Sequence, residues 1–139
     1  MSTRVGFIGL GIMGRRMLTA MTAHDRFHVG GVWDPDPAQF AAATAAGLPV
    51  TAAGNAGDLI AAPTTDLVYI ACPPAHHADY AQAAMTAGKA VWMSHGDTIQ
   101  SAGDRTCITC STEDVKFAGF AFEDEPTWGI QFHPEVYHS

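Results

Sequence analysis

The run Gly9-Leu10-Gly11-Ile12-Met13-Gly14 constrains this chain more than any other feature. It follows Arg4-Val-Gly-Phe-Ile-Gly9, which reads as a short buried strand. It opens residues Ile12 to Thr22, which read as a helix with Met13, Met17, Leu18 and Met21 on one core-facing side. An acid, Asp34, lies about 20 residues further on, at the end of a second strand. Glycines in this pattern between a strand and a helix make a phosphate-binding turn. Gly9 permits the tight turn, Gly11 lets backbone approach a pyrophosphate, and Gly14 lets helix and strand pack closely. The helix N-terminus, with the N–H groups of Ile12 and Met13 unpaired, favours an anion. Arg15 and Arg16 oppose the helix dipole there; a bound anion would offset that cost, and solvation is the bland alternative. The Asp34 carboxylate is placed to accept from ribose hydroxyls, which favours NAD over NADP.

The following segments repeat the alternation. His28 to Trp33 reads as a strand, and Pro37 to Ala46 as a helix with Asp36 as its cap and Gly47 as its stop. Leu48 to Thr51 reads as a short strand and Ala56 to Ala61 as a short helix. Asp66 to Ala71 is a strand ended by Pro73-Pro74, Ala75 to Ala87 a helix closed by Gly88, and Ala90 to Met93 a strand. Five strands alternating with four helices require a mainly parallel sheet with helices on both faces.

This part resembles the N-terminal domain of the glucose–fructose oxidoreductase/inositol dehydrogenase (Gfo/Idh/MocA) family. The resemblance rests on Val5-Gly-Phe-Ile-Gly-Leu-Gly-Ile-Met-Gly14, Val32-Trp-Asp-Pro-Asp-Pro37, Asp66-Leu-Val-Tyr-Ile-Ala-Cys-Pro-Pro-Ala-His-His77 and Ala87-Gly-Lys-Ala-Val-Trp92. It implies that Cys72, Pro73, Pro74 and His77 line the cofactor cleft. One departure matters for chemistry. In that family the last of these strands runs into Glu-Lys-Pro, whose lysine serves the substrate; here Trp92 runs into Met93-Ser94-His95. Hydride transfer needs a substrate held against the nicotinamide, and no segment here reads as a substrate-binding domain.

After Met93 the rhythm changes. Thr106–Ser111, Phe117–Phe122 and Trp128–His133 read as strands separated by turn signals, with no helical pattern between them, so antiparallel hairpins are expected. Val91-Trp-Met-Ser-His-Gly-Asp97, Ser111-Thr-Glu-Asp-Val-Lys-Phe-Ala-Gly119 and Thr127-Trp-Gly-Ile-Gln-Phe-His-Pro-Glu-Val-Tyr-His-Ser139 resemble the end of the class I glutamine amidotransferase domain of GMP synthase. By that resemblance His133 and Glu135 are the histidine and glutamate of a Cys-His-Glu triad. No Gly-x-Cys-x-Gly elbow supplies the nucleophile. Cys72 ends a parallel strand, but the next residue is Pro73. An elbow uses the N–H after the nucleophile as an oxyanion donor, and proline has none. His133 and Glu135 are therefore read as vestigial.

Charge divides the chain at the same place. Of the formal net charge of −7, residues 1–93 carry −1 and residues 94–139 carry −6. This acidity argues against a nucleic-acid surface. No apolar run approaches the ~20 residues of a membrane span, and no secretory signal is evident. Three cysteines, Cys72, Cys107 and Cys110, form no disulfide framework and suit a reducing cytoplasm. Cys107-Ile-Thr-Cys110 lies in a β-rich run without a second pair, so no metal site is expected and the two read as partly buried strand residues. Trp92 and Trp128 read as core, Glu123-Asp124-Glu125 as a solvated turn.

The sequence thus predicts one α/β domain over residues 1–139: a three-layer Rossmann-like parallel sheet (1–92) with antiparallel C-terminal strands (93–139). The expected function is binding of a dinucleotide, NAD rather than NADP, through Gly9, Gly11, Ile12, Met13, Gly14, Asp34, Cys72, Pro73, Pro74 and His77. No complete catalytic machinery accompanies it. The two resemblances meet at Val91-Trp92, as in a recombinant or designed chimera or a natural fusion. Two alternatives stay open: an NAD-dependent oxidoreductase completed by an oligomeric partner, and an inactive amidotransferase-like fragment. Exposed strand edges near the C-terminus favour homo-oligomers.

Overall fold

The computed structural model describes residues 2–93 and 98–131. The chain divides into two compact units, residues 1–95 and 96–139. Each is described by itself.

The first unit runs β1 (Thr3–Ile8), α1 (Ile12–Thr22), β2 (Phe27–Trp33), α2 (Pro37–Ala45), α3 (Ala56–Ala61), β3 (Leu67–Ile70), α4 (His77–Thr86) and β4 (Ala90–Met93). The strands form one sheet in the order β2-β1-β3-β4, and every pair is parallel. Strand side chains alternate between faces, so two neighbouring rows across the sheet build two cores. Val32, Phe7, Tyr69 and Trp92 stand in register and pack with Leu18 and Met21 of α1 and Ala43 of α2. One residue on, Trp33, Ile8, Ile70 and Met93 pack on the other face with Leu59 and Ile60 of α3 and Ala81 and Ala84 of α4. The result is three layers. Phe7, Ile8, Val68 and Ile70 are fully buried, each contributing about 2 kcal/mol by leaving water.

The helices start where the sequence marks them. Asp36 caps α2 by accepting from the Ala38 N–H, with Pro37 at the first helical position. Asn55 caps α3 by accepting from the Asp58 N–H. Gly47 and Gly88, the expected stops, take positive φ just past α2 and α4. α4 is shorter than expected, because Pro74–His76 form a 3-10 turn before it.

The strand expected over Leu48–Thr51 does not form. A single parallel bridge joins Val32 to Ala52, through the Val32 N–H on the Thr51 carbonyl (2.9 Å) and the Ala53 N–H on the Val32 carbonyl (2.8 Å). Pro49 lacks the N–H that a ladder needs. Leu48 and Val50 still pack against the core, which satisfies their apolar side chains without strand pairing. Met13 is a second correction: it is half exposed, while Met17 and Met21 pack inward as expected.

The second unit holds β5 (Thr106–Cys110), β6 (Gly119–Phe122) and β7 (Trp128–Ile130), an antiparallel sheet in chain order. Phe120 lies over Gly129, where an added Cβ would come within 2.3 Å of the ring, and meets Phe122 edge to face. The Gln131 side chain joins two loops, accepting from the Ile99 N–H and donating to the Phe117 carbonyl. Arg105 pairs with Asp124 in the expected solvated turn. Trp128 is 69% exposed, contrary to the core position expected of it, because β7 is an outer strand and its partner across the pair is the small Ala121. Cys107 and Cys110 are also exposed rather than partly buried. Among the described residues no helix is long and apolar enough to cross a membrane.

Candidate functional site

β1 delivers the glycine loop to the carboxyl end of the sheet, between β2 and β3. The Gly9 N–H donates to the Trp33 carbonyl (2.8 Å), and the Ala71 N–H donates to the Ile8 carbonyl (2.7 Å). Gly9 has φ +99°, and a Cβ there would lie 2.7 Å from the Ala71 carbonyl carbon. A Cβ on Gly14 would lie 2.0 Å from the Gly9 carbonyl oxygen, so α1 sits directly against the turn. Gly11 differs from both: a Cβ there would meet nothing within 4 Å. Two glycines of the loop are required by the fold, and the third faces open space.

Gly11 is also the N-cap of α1, and no side chain caps that end. The first turn carries no acid. Ile12 is 71% exposed and Met13 50%, an apolar pair beside the helix end that no side chain caps. This set suits an anionic group flanked by apolar surface.

Asp34, just past β2, reaches into the loop. Its Oδ2 accepts from the Leu10 N–H at 2.6 Å and its Oδ1 from the Asp36 N–H at 2.9 Å. Each oxygen keeps a further lone pair for a hydroxyl donor. Arg15 is not simply solvated. Its Nη1 donates to the Leu10 carbonyl and to Gln39 Oε1, both at 2.7 Å. Arg16 is exposed. The Arg15–Gln39 contact left no mark in the sequence, since it joins two helices 24 positions apart.

The other lip is the turn after β3. Cys72 is half-buried, and burial pushes its thiol pKa upward, with the negative charge of Asp34 adding to the effect. Pro73 and Pro74 are exposed. His77 is buried, and its Nε2 donates to the Cys72 carbonyl at 2.7 Å. That bond ties the start of α4 to the end of β3. His76 is the exposed member of the pair and faces Tyr80, which in turn packs edge to face on Trp33.

A separate shallow groove is lined by Gly30, Gly31, Thr51, Asp58 and Thr64. No residue of the glycine loop lines it. Among the described residues no cluster of metal-binding side chains occurs. His133 and Glu135 lie outside the described residues.

Residues 3–95 match the family model described as an oxidoreductase family with an NAD-binding Rossmann fold. Residues 70–139 match that of class-I glutamine amidotransferases. The first part is similar in structure to a biliverdin reductase from Synechocystis, solved with biliverdin and NADP+, at TM-score 0.63 and 30% identity over 67% of this chain and 29% of that one. It is also similar to a UDP-N-acetylglucosamine 3-dehydrogenase from Acidithiobacillus ferrooxidans, at TM-score 0.58 and 30% identity over 68% of this chain and 30% of that one. The other part is similar to glutamine-hydrolysing GMP synthases. The one from Porphyromonas gingivalis is 53% identical over 55 residues, 40% of this chain and 11% of that protein. The one from Eremothecium gossypii is 49% identical over 49 residues, 35% of this chain and 9% of that protein. The chain therefore spans about a tenth of the length of these synthases and under a third of the solved structures.

Proposed function

The chain belongs to the NAD-binding Rossmann oxidoreductase family through residues 3–95 and to the class-I glutamine amidotransferase family through residues 70–139, and from that membership we propose a dinucleotide-binding module without a complete catalytic set of its own. The carrying observation is the open face at Gly11 beside a carboxylate, Asp34, hydrogen-bonded to the same loop. In this reading the pyrophosphate lies on the N–H groups of Ile12 and Met13, and Asp34 accepts from the adenosine ribose. Cys72, Pro73 and Pro74 form the opposite lip, with His77 holding that lip in place. A bound nicotinamide would supply hydride chemistry; the chain's own residues bind and orient it.

Preference for NAD over NADP follows from charge. A 2′-phosphate would meet the carboxylates of Asp34 and Asp36. Glutamine hydrolysis is not part of the reading. Cys72 has a raised pKa, the opposite of an activated nucleophile, and Pro73 offers no oxyanion donor. Self-pairing through the outer strands of the β5-β6-β7 sheet, a cytoplasmic location and indifference to nucleic acid belong to the same proposal.

Calorimetric titration with NADH and NADPH tests it, with Gly11→Asp as the control. Saturable heat that the variant loses is the expected result. An absence of heat, or heat that survives Gly11→Asp, overturns the reading.

A further inference from the structure

Five hydrogen bonds close a ring around the mouth of the glycine loop. The Leu10 N–H donates to Asp34 Oδ2 (2.6 Å), and the Asp36 N–H to Asp34 Oδ1 (2.9 Å). Gln39 Nε2 donates to Asp36 Oδ2 (3.2 Å), Arg15 Nη1 to Gln39 Oε1 (2.7 Å), and the same Nη1 to the Leu10 carbonyl (2.7 Å). The chemistry allows one orientation of the Gln39 amide. Arg15 only donates and the Asp36 carboxylate only accepts, so the amide oxygen must face the arginine and the NH₂ the aspartate. A primary amide, with its acceptor and its donors on one carbon, makes that bridge without rearrangement.

The ring has a consequence for selectivity. Two carboxylates, Asp34 and Asp36, stand where the reading above puts the adenosine ribose. One cation, Arg15, is bonded into the same ring but is held with its Nη1 on Leu10 and Gln39. Guanidinium groups are the natural partners of phosphate dianions, through paired N–H donors. An arginine at this place, once free, is the residue a 2′-phosphate would recruit.

We propose that Gln39 is a specificity-determining residue: by holding Arg15 on the Leu10 carbonyl it withholds the guanidinium from a 2′-phosphate and keeps the site selective for the unphosphorylated ribose. The inference rests on the dinucleotide reading. Gln39 touches no cofactor in this scheme; it acts through Arg15, and its signature is a change in selectivity rather than a uniform loss of affinity. Removing the bridge leaves Arg15 Nη1 with the Leu10 carbonyl alone, a single bond that a 2′-phosphate dianion outcompetes, while leaving both carboxylates in place. A merely structural role for Gln39 would weaken NADH and NADPH alike.

The test compares Kd values for NADH and NADPH in the wild type, Gln39→Leu, Gln39→Ala and the double variant Arg15→Ala/Gln39→Leu. Both single variants should move the NADPH-to-NADH affinity ratio toward NADPH by about tenfold, the factor of one charge-assisted hydrogen bond. The double variant should lose that gain. Wild-type binding of NADH with an unchanged ratio in both single variants overturns this inference alone. A ratio shift that persists without Arg15 also overturns it. A wild type that binds neither dinucleotide overturns the underlying reading, and this inference with it.

Discussion

A side chain on Gly14 would put its Cβ 2.0 Å from the carbonyl oxygen of Gly9, whereas one on Gly11, between them, would meet nothing within 4 Å. Three glycines of one motif therefore answer to different demands. Gly14→Ala and Gly9→Ala should each destabilise the protein by ~2–3 kcal/mol, through backbone clash and, at Gly9, a left-handed φ. Gly11→Ala should leave the melting temperature nearly unchanged and weaken NADH binding. Thermal melts beside binding titrations separate the two effects. A large loss of stability in Gly11→Ala would show that its surroundings are not open.

Asp66 gives a pH dependence with a definite sign. The Arg4 side chain donates to it from Nε at 2.9 Å, the Arg4 backbone N–H donates as well, and together they hold the Asp66 carboxyl well below the usual carboxylate range. A folded-state pKa below the unfolded one stabilises the protein fully above the unfolded value and ceases to as pH falls through the folded one. Urea midpoints should decline below about pH 4, where the unfolded aspartate begins to protonate. In Asp66→Asn the neutral-pH midpoint should be lower and the acid decline shallower. An equal decline in both proteins would remove Asp66 as its source.

The cysteines should differ in reactivity. Cys107 and Cys110 are exposed, whereas Cys72 is half-buried with a raised pKa. Iodoacetamide at neutral pH should label Cys107 and Cys110 first and Cys72 last, as read by peptide mass spectrometry. Glutamine turnover should stay at background in the wild type and in Cys72→Ala alike. Rapid labelling at Cys72 would contradict the burial argument.

Trp128 offers an optical check on the second unit. It is 69% exposed, whereas Trp92 packs edge to face on Tyr69 and Trp33 on Tyr80. Acrylamide should quench Trp128 most efficiently, so Trp128→Phe should remove the most accessible part of the emission. If the remaining fluorescence is quenched as readily as before, Trp128 is covered.

Much of the first unit was legible because its signals are local. The residues of α1 and α3, the Asp36 cap and the glycine stops announce themselves within a few positions. The failure at Leu48–Thr51 is also local in hindsight: Pro49 stands in the middle of the expected strand. Other features depend on contacts that no window of sequence contains. Nothing in His76-His77 says which ring turns inward; the Cys72 carbonyl decides it. Arg15 reads as an ordinary basic residue near a helix start until Gln39, on a different helix, is seen to hold it. Trp128 carries the composition of a core residue, and only its place on an outer strand leaves it exposed.

The β3–α4–β4 segment is where two sheet-building patterns share one stretch of chain. Its strands pair only with parallel neighbours, in the register Leu67 to Ala90 through Ile70 to Met93, and α4 covers the same strands with Ala81 and Ala84. The two family matches overlap across residues 70–95, within this segment. Where β3, α4 and β4 stay together across such a junction, the β3–β4 ladder and the helix face carrying Ala81 and Ala84 are kept whole.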